Sequence, residues 1–228
     1  MLLPEFSNLP SYMQNNEVRH YYDVLTHKKV DLLFKRFFDI IASIILLVIL
    51  AIPMIVVAVL IKTDSSGPVL FKQKRVTTGG KVFSIFKFRT MYVNDNEKNS
   101  QVTSGSDSRI TKVGHTLRKF RLDEMPQLIN VLKGEMTFVG TRPEVERYVS
   151  KYSPEMYATL LMPAGITSLT SVKYRHEEEI LDKADDVEKA YIEEVLPAKM
   201  KINLEYISKL NFFYDLYVCI LTVVKITD

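Results

Sequence analysis

The stretch "IIASIILLVILAIPMIVVAVLI" (residues 40–61) runs for 22 residues without a charge. As one straight helix it would reach roughly 33 Å at about 1.5 Å per residue, enough for the ~30 Å hydrocarbon layer of a bilayer. A transmembrane helix is the default reading, because so long an uncharged run is unusual for the core helix of a small soluble domain. Pro53 interrupts the run, removing a backbone donor and crowding the preceding turn, so a bend is expected. The bend leaves legs of about 20 Å (40–52) and about 14 Å (53–61), each too short to cross alone. Both flanks are basic: "HKKVDLLFKR" (27–36) precedes the run, and Lys62, Lys72, Lys74 and Arg75 follow it. The positive-inside rule then assigns no polarity to a span, whereas a segment returning to the same face has no such conflict. On the residues alone, a spanning and a re-entrant segment both stand. At the edge of the run, Asp39 and Arg36 lie three residues apart on one helical face, placed to pair; snorkelling at the boundary is the simpler alternative.

The surrounding composition narrows the classes. In 228 residues, 47% are apolar and the mean hydropathy is +0.02, high for a soluble protein with an ordinary 25% of charged residues. A single cysteine, Cys219, excludes an internal disulfide framework and a cysteine-based zinc site. The net charge of +3 is too small to indicate nucleic acid. Residues 1–20 are polar and contain Pro4 and Pro10, without the basic-then-apolar order of a signal peptide. The chain divides into a lead-in (1–33) with a short amphipathic piece at "VRHYYDVL", the apolar segment with its charged entry (34–62) and a mixed polar and apolar region (63–228).

Beyond the turn cluster "DSSGP" (64–68), "VLFKQKRV" and "KVFSIFKFR" flank "TTGG", which predicts a β-hairpin whose polar face carries Lys72, Lys74, Lys87 and Arg89. A polar loop spans 93–108. Helical character returns through "RITKVGHTLRKFRLDEMPQLINVLKG" (109–134), where Pro126 suits a first turn and Gly134 a stop. "RPEVERYVSKY" (142–152) starts another helix and "PAGIT" (163–167) turns. The tail from Glu177 is mostly helical, and its last 17 residues place Phe212, Phe213, Leu216, Tyr217, Ile220, Leu221 and Val224 at helical spacing. That face either packs on the core or lies in a membrane interface. The fold class is α+β and predominantly helical.

The common nucleotide-binding and hydrolase signatures are absent. The pair Asp123–Glu124 in "RLDEMPQLINVLKGEM" (121–136) stands out through its company. Arg109, Lys112, Arg118, Lys119 and Arg121 precede it, and Lys133 and Arg142 follow. Two acids before a helix are most often an acidic first turn favoured by the helix dipole. Ringed by cations, the same position is also a ready phosphate site. A carboxylate there can hold Mg²⁺, which favours one or two carboxylates plus substrate phosphates, or attack phosphorus. Neighbouring cations are expected to lower the pKa of that carboxylate.

Taken in order, "KRFFD" (35–39), "SSGPVLFKQKRV" (65–76), "FKFRTM" (86–91), "DSRITKVGHTLRKFRLDEMPQLINVLKGEM" (107–136), "VGTRPE" (139–144) and "PAGIT" resemble the bacterial sugar transferases. These are the monotopic polyprenyl-phosphate phosphoglycosyl transferases, and the likeness runs from about residue 33 to 175. It resembles the minimal catalytic form, without extra N-terminal membrane helices. The resemblance implies a re-entrant helix broken at Pro53 in the cytoplasmic leaflet of the bacterial inner membrane, with amphipathic interfacial helices around an active site facing the cytoplasm. It implies that Asp123 attacks the β-phosphate of a UDP-sugar, that UMP leaves, and that polyprenyl phosphate takes the phosphosugar from the aspartyl intermediate. It implies Glu124 as the Mg²⁺ ligand, Lys87, Arg118 and Arg142 as phosphate contacts, and Arg36 with Asp39 as the pair that stabilises the re-entrant geometry. Membrane lipids are implied partners and nucleic acid is not.

Three departures from the family pattern follow. Ile52 replaces the Ser common before the kink Pro. "GITSLTSVKYR" (165–175) carries Ser168, Ser171 and Tyr174 where a "GITGLxQVxGR" loop is common, so a donor preference does not carry over from relatives. Thr141 stands where Pro is common. A different class of function is a non-catalytic membrane scaffold that binds anionic lipid, with the acid pair serving only as a helix start.

Overall fold

The computed structural model describes residues 3–93, 108–174 and 186–227. Most of the loop expected over 93–108, Arg175 and the start of the helical tail at 177–185 lie outside them. Two 3-10 turns (Phe6–Asn8, Ser11–Met13) lead into α1 (Asn16–Thr26), then α2 (Lys29–Ile49) and α3 (Ala51–Asp64). The hairpin β1 (Leu70–Val76) and β2 (Val82–Phe88) follows, then α4 (Lys112–Lys119), a 3-10 turn (Leu122–Glu124), α5 (Gln127–Lys133) and β3 (Met136–Val139). The one-turn α6 (Glu146–Val149), a 3-10 stretch (Met156–Leu161), β4 (Ala164–Thr167) and α7 (Leu169–Lys173) come next. The chain closes with α8 (Val187–Ala190), a π turn (Tyr191–Val195), α9 (Leu196–Lys209) and α10 (Phe212–Thr227). Among the described residues this is a helical α+β fold with two small sheets. β1 and β2 pair antiparallel, and β3 pairs parallel with β4, Met136 opposite Ala164.

No single helix among the described residues is long and apolar enough to cross a membrane. The pair α2–α3, bent by 61°, passes that test together. The bend sits at Leu50, three residues before Pro53. Proline in the first turn of α3 loses nothing, since the first N–H groups of a helix have no partner within it. Its ring is excluded from the space of the Ile49 carbonyl one turn earlier. Large apolar side chains along both helices face outward, among them Phe34, Phe37, Ile45, Val48, Ile49, Ile52, Ile55 and Val59.

The polar half of α2 is fastened to the body by buried groups. Lys35, only 3% exposed, donates from Nζ to Val139 O (2.7 Å) and to Asp215 Oδ2 of α10 (2.6 Å). Tyr206 Oη of α9 donates to the other Asp215 oxygen at 2.6 Å. Arg36 and Asp39 face separate elements rather than each other. The Arg36 guanidinium donates to Val131 O (2.6 Å) and Leu132 O (2.9 Å) in the last turn of α5. Asp39 accepts from Thr137 Oγ1 (2.7 Å) and Phe138 N (3.1 Å) on β3. A spacing of three puts both side chains on one face, but what each meets there depends on the elements packed against α2. Gly134 ends α5 in the left-handed region (φ 83°), close against Arg36, a conformation that favours glycine.

The lead-in is built into the main core. Asn15 caps α1 by accepting from Val18 N at 2.8 Å, and Met13, Val18 and Leu25 are fully buried. They join a cluster with Leu160 and Leu161, and with Leu196, Met200, Leu204 and Ile207 from α9. Lys28 donates to Ser208 O and Leu210 O at the end of α9. A second cluster joins the hairpin to α5 and β3 through Phe83, Ile85, Val131 and Met136. A third seats α3 on α4 through Val57, Ile61, Phe88 and Leu117.

The register of the hairpin divides the four cations expected on one face. Lys72 and Lys74 lie opposite Phe86 and Ser84, while Lys87 lies opposite Phe71, so Lys87 projects from the other side of the sheet. Arg89 is buried and holds the turn after α3 by donating to the carbonyls of Ser65 (2.8 Å) and Ser66. "PAGIT" supplies a strand rather than a turn. A four-residue run without alternation carries too weak a pattern to show as one.

Candidate active site

The acid pair lies between two helices rather than in the first turn of one. Helix α4 starts at Thr111, whose hydroxyl accepts from Gly114 N at 3.0 Å, and ends against Arg121. Arg121 has φ 56°, the one non-glycine residue with positive φ among those described. That left-handed residue, costing on the order of 1 kcal/mol, reverses the chain into the 3-10 turn Leu122–Glu124. Leu122 and Met125 pack with α3 and α4. The two carboxylates between them turn the other way, both buried to 8% exposure.

Glu124 collects the cations. Its Oε1 accepts from Lys87 Nζ at 2.8 Å and from Arg142 Nη2 at 2.8 Å. Burial would raise its pKa, but Arg142 and Lys87 overcome that and hold the carboxyl well below the usual range. The Arg142 guanidinium is correspondingly held up by Glu124. Lys87 is lowered, since burial outweighs its attraction to Glu124.

Asp123 is treated differently. Lys87 Nζ stands 4.0 Å from Oδ2, and Oδ1 is buried without a hydrogen-bond partner. Its pKa is raised, by burial first and by neighbouring Glu124, against the pull of Lys87, Arg121 and Arg118. The expectation that surrounding cations would lower it is reversed. The nearest ammonium and guanidinium are engaged by Glu124, and the more distant arginines do not offset the loss of water.

Lys87, Arg142, Asp123 and Glu124 therefore converge on one site. Arg118 stands at the end of α4 with Nε donating to Thr90 Oγ1 at 2.9 Å, close enough to act on Asp123. Arg36, Asp39 and Pro53 lie away from the carboxylates, on the α2–α3 pair. Two positioning residues, Asn130 and Thr77, were not singled out from the sequence. Asn130 is fully buried on α5, where Oδ1 accepts from Phe86 N (3.0 Å) and Nδ2 donates to Ser84 O (2.8 Å), tying β2 to the helix after the acid pair. Thr77 donates to Glu135 O and accepts from Ala164 N, joining the hairpin to β4.

Gly140 and Gly165 stand at the ends of β3 and β4, where their backbones touch; a Cβ on either would collide with the other strand. Of the departures at 168–174, Ser168 is buried while Ser171 and Tyr174 are half-buried. Ser168 caps α7 by accepting from Ser171 N at 2.9 Å, Thr170 meets Asn203 of α9, and Tyr174 packs on the main core.

Two neighbouring carboxylates, one of them with its own Oδ1 buried and unpartnered, fit a Mg²⁺ ion that takes its remaining ligands from substrate phosphates and water. No group of three or more His, Cys, Asp or Glu side chains that could hold a metal occurs among the described residues, so an all-protein cage is not what they form.

A family model described as bacterial sugar transferase matches residues 30–228. The chain is 35% identical over 193 residues to UDP-N-acetylgalactosamine-undecaprenyl-phosphate N-acetylgalactosaminephosphotransferase of Aeromonas hydrophila, covering 83% of this chain and 42% of that protein. It is 34% identical over 200 residues to UDP-glucose:undecaprenyl-phosphate glucose-1-phosphate transferase of Escherichia coli (strain K12), covering 86% and 40%. An uncharacterized sugar transferase of Bacillus subtilis (strain 168), EpsL, is 32% identical over 195 residues, covering 86% of this chain and 88% of the relative. The chain thus spans about two fifths of the first two relatives and most of the third. With the match extending from α2 to the last residue, the chain belongs to the bacterial sugar transferase family.

Proposed function

We propose that the protein transfers a phosphosugar from a UDP-sugar to polyprenyl phosphate, with undecaprenyl phosphate as acceptor, at the cytoplasmic face of a bacterial membrane. The names of its relatives supply the donor and acceptor classes. The observation that carries the reading is the division of labour between the two acids. Glu124 absorbs the two nearest cations, leaving Asp123 with an oxygen that no protein group occupies.

Asp123 is the nucleophile. A carboxylate oxygen attacks the β-phosphorus and the bond from that phosphorus to the α–β bridging oxygen breaks. UMP departs with that oxygen and its electron pair, leaving an aspartyl phosphosugar. An oxygen of polyprenyl phosphate then attacks the same phosphorus, and Asp123 leaves as a free carboxylate with polyprenyl diphosphate sugar formed. A covalent intermediate lets a water-soluble donor and a lipid acceptor use one site in turn. Lys87, Arg118 and Arg142 neutralise phosphate oxygens. Glu124, with Asp123 beside it, would hold Mg²⁺, which when bound supplies charge neutralisation to the donor diphosphate. A raised pKa suits Asp123, since a more basic carboxylate is a better nucleophile once ionised.

In the same reading, residues 34–62 form the re-entrant membrane element bent at Pro53, and 63–228 the catalytic domain. The 61° bend and the outward apolar side chains of α2 and α3 support it, because a patch of that size is costly in water. UMP release from a panel of UDP-sugars, with undecaprenyl phosphate and the protein in lipid nanodiscs, tests the proposal. Turnover that Asp123→Asn abolishes is expected. Salt-sensitive vesicle binding with no UMP from any donor would favour the lipid-binding scaffold instead.

A further inference from the structure

Arg142 lies in the loop that leaves β3, and the loop is held on two sides. Towards β4, Gly140 N donates to Thr167 O (3.0 Å) and Gly165 N to Thr141 O (2.8 Å). Towards β1, Val76 N donates to Glu144 O (2.9 Å), and Arg75 Nη1 to Pro143 O (3.2 Å). The Glu144 side chain lies at the centre of the second set. It is a buried carboxylate that no step of the reaction uses. Its Oε1 accepts from Tyr191 Oη at 2.6 Å, and its Oε2 stands 3.8 Å from Arg75 Nη1. Tyr191 opens the π turn between α8 and α9, with its ring 4.8 Å from that of Tyr148. A carboxylate two residues from Arg142 is thus gripped from β1 and from the C-terminal helical segment, where Tyr191 lies 47 residues away along the chain.

We propose that Glu144 is a positioning residue, which with Arg75 and Tyr191 fixes loop 140–144 so that the Arg142 guanidinium stays on Glu124. The kinetic consequence rests on the transferase reading; the structural one does not. Glu144→Gln keeps the volume and an acceptor for Tyr191 but loses the charge facing Arg75. Tyr191→Phe keeps the ring and loses the hydroxyl.

The first measurement is the rate of phenylglyoxal modification of Arg142, read by peptide mass spectrometry on the full chain in nanodiscs, with exposed Arg19 as internal reference. A rise of several-fold at Arg142 in both variants, at an unchanged Arg19 rate, is expected. An unchanged Arg142 rate in Tyr191→Phe, the milder change, overturns the proposal even if Glu144→Gln misfolds. The second measurement is kcat/KM for UMP release. Glu144→Gln is expected to lower it about tenfold in the wild-type background and less than twofold in an Arg142→Ala background. Equal losses in both backgrounds would show a general structural effect and overturn the proposal. Absence of UMP release by the wild type would count against the transferase reading, while the labelling result would still decide the role of Glu144.

Discussion

At Asp123 and Glu124, neighbours in sequence carry opposite electrostatic burdens. Asp123 has its pKa raised by burial, so its ionised form costs stability that is fully recovered below the unfolded pKa and lost as pH rises through the folded one. Glu124 has its pKa held down, so its contribution is present above the unfolded pKa and lost as pH falls through the folded value. At neutral pH, Asp123→Asn should stabilise the fold by on the order of 1 kcal/mol, through relief of an unpartnered buried carboxylate, and so raise the melting temperature. Glu124→Gln should lower the melting temperature, at a cost of about 1–3 kcal/mol in stability. That is less than for a fully buried pair, because the Arg142 side chain remains 35% exposed and water screens it. Differential scanning fluorimetry of both variants checks the signs. The acid limb of kcat/KM for UMP release should fall at a pH above that of an ordinary aspartate, near 3.9. A limb at or below that value would separate Asp123 from the rate. The acids, Lys87 and Arg142 were legible from their residue types and from the family order of motifs. The reversal at Asp123 was not, because it depends on which carboxylate the cations touch.

Among the elements, α2 carries most of the coupling. Its buried face reaches α5 through Arg36, β3 through Lys35 and Asp39, and α10 through the Lys35–Asp215 pair. The strand it holds leads directly into the Arg142 loop. Asp215→Asn leaves Lys35 charged and buried without its counter-ion, and should cost about 3 kcal/mol. The double variant Lys35→Met/Asp215→Asn should regain most of it; melting curves of the two singles and the double measure the coupling. The uncharged run and its proline announced a bent helix from sequence alone, and the hairpin was equally plain. The bend's place at Leu50, the separate partners of Arg36 and Asp39, and the short parallel β3–β4 pair were not, since each is set by contacts between distant segments.

Across the whole molecule, the family match begins at residue 30, yet the residues before it are part of the core. Met13, Val18 and Leu25 fill the space beside α9 and the 156–161 turn. Leu25→Ala should cost about 2–5 kcal/mol by leaving a cavity, seen as a lower melting temperature. UMP release per folded molecule should change less than twofold, as Leu25 belongs to the main core cluster and Leu122 and Met125, which flank the acid pair, to a different one. The lead-in showed only a short amphipathic piece, Val18, Tyr21, Tyr22 and Leu25 at helical spacing among charges, too brief a pattern to show what it covers; the tertiary packing shows that. The central claim, that Asp123 carries the phosphosugar, is tested most directly by intact and peptide mass spectrometry of the protein incubated with an accepted UDP-sugar and no polyprenyl phosphate. The account predicts a mass increase of one sugar phosphate on the peptide containing Asp123, lost when undecaprenyl phosphate is added and absent in Asp123→Asn. UMP release that requires the acceptor, with no adduct on that peptide, would contradict it.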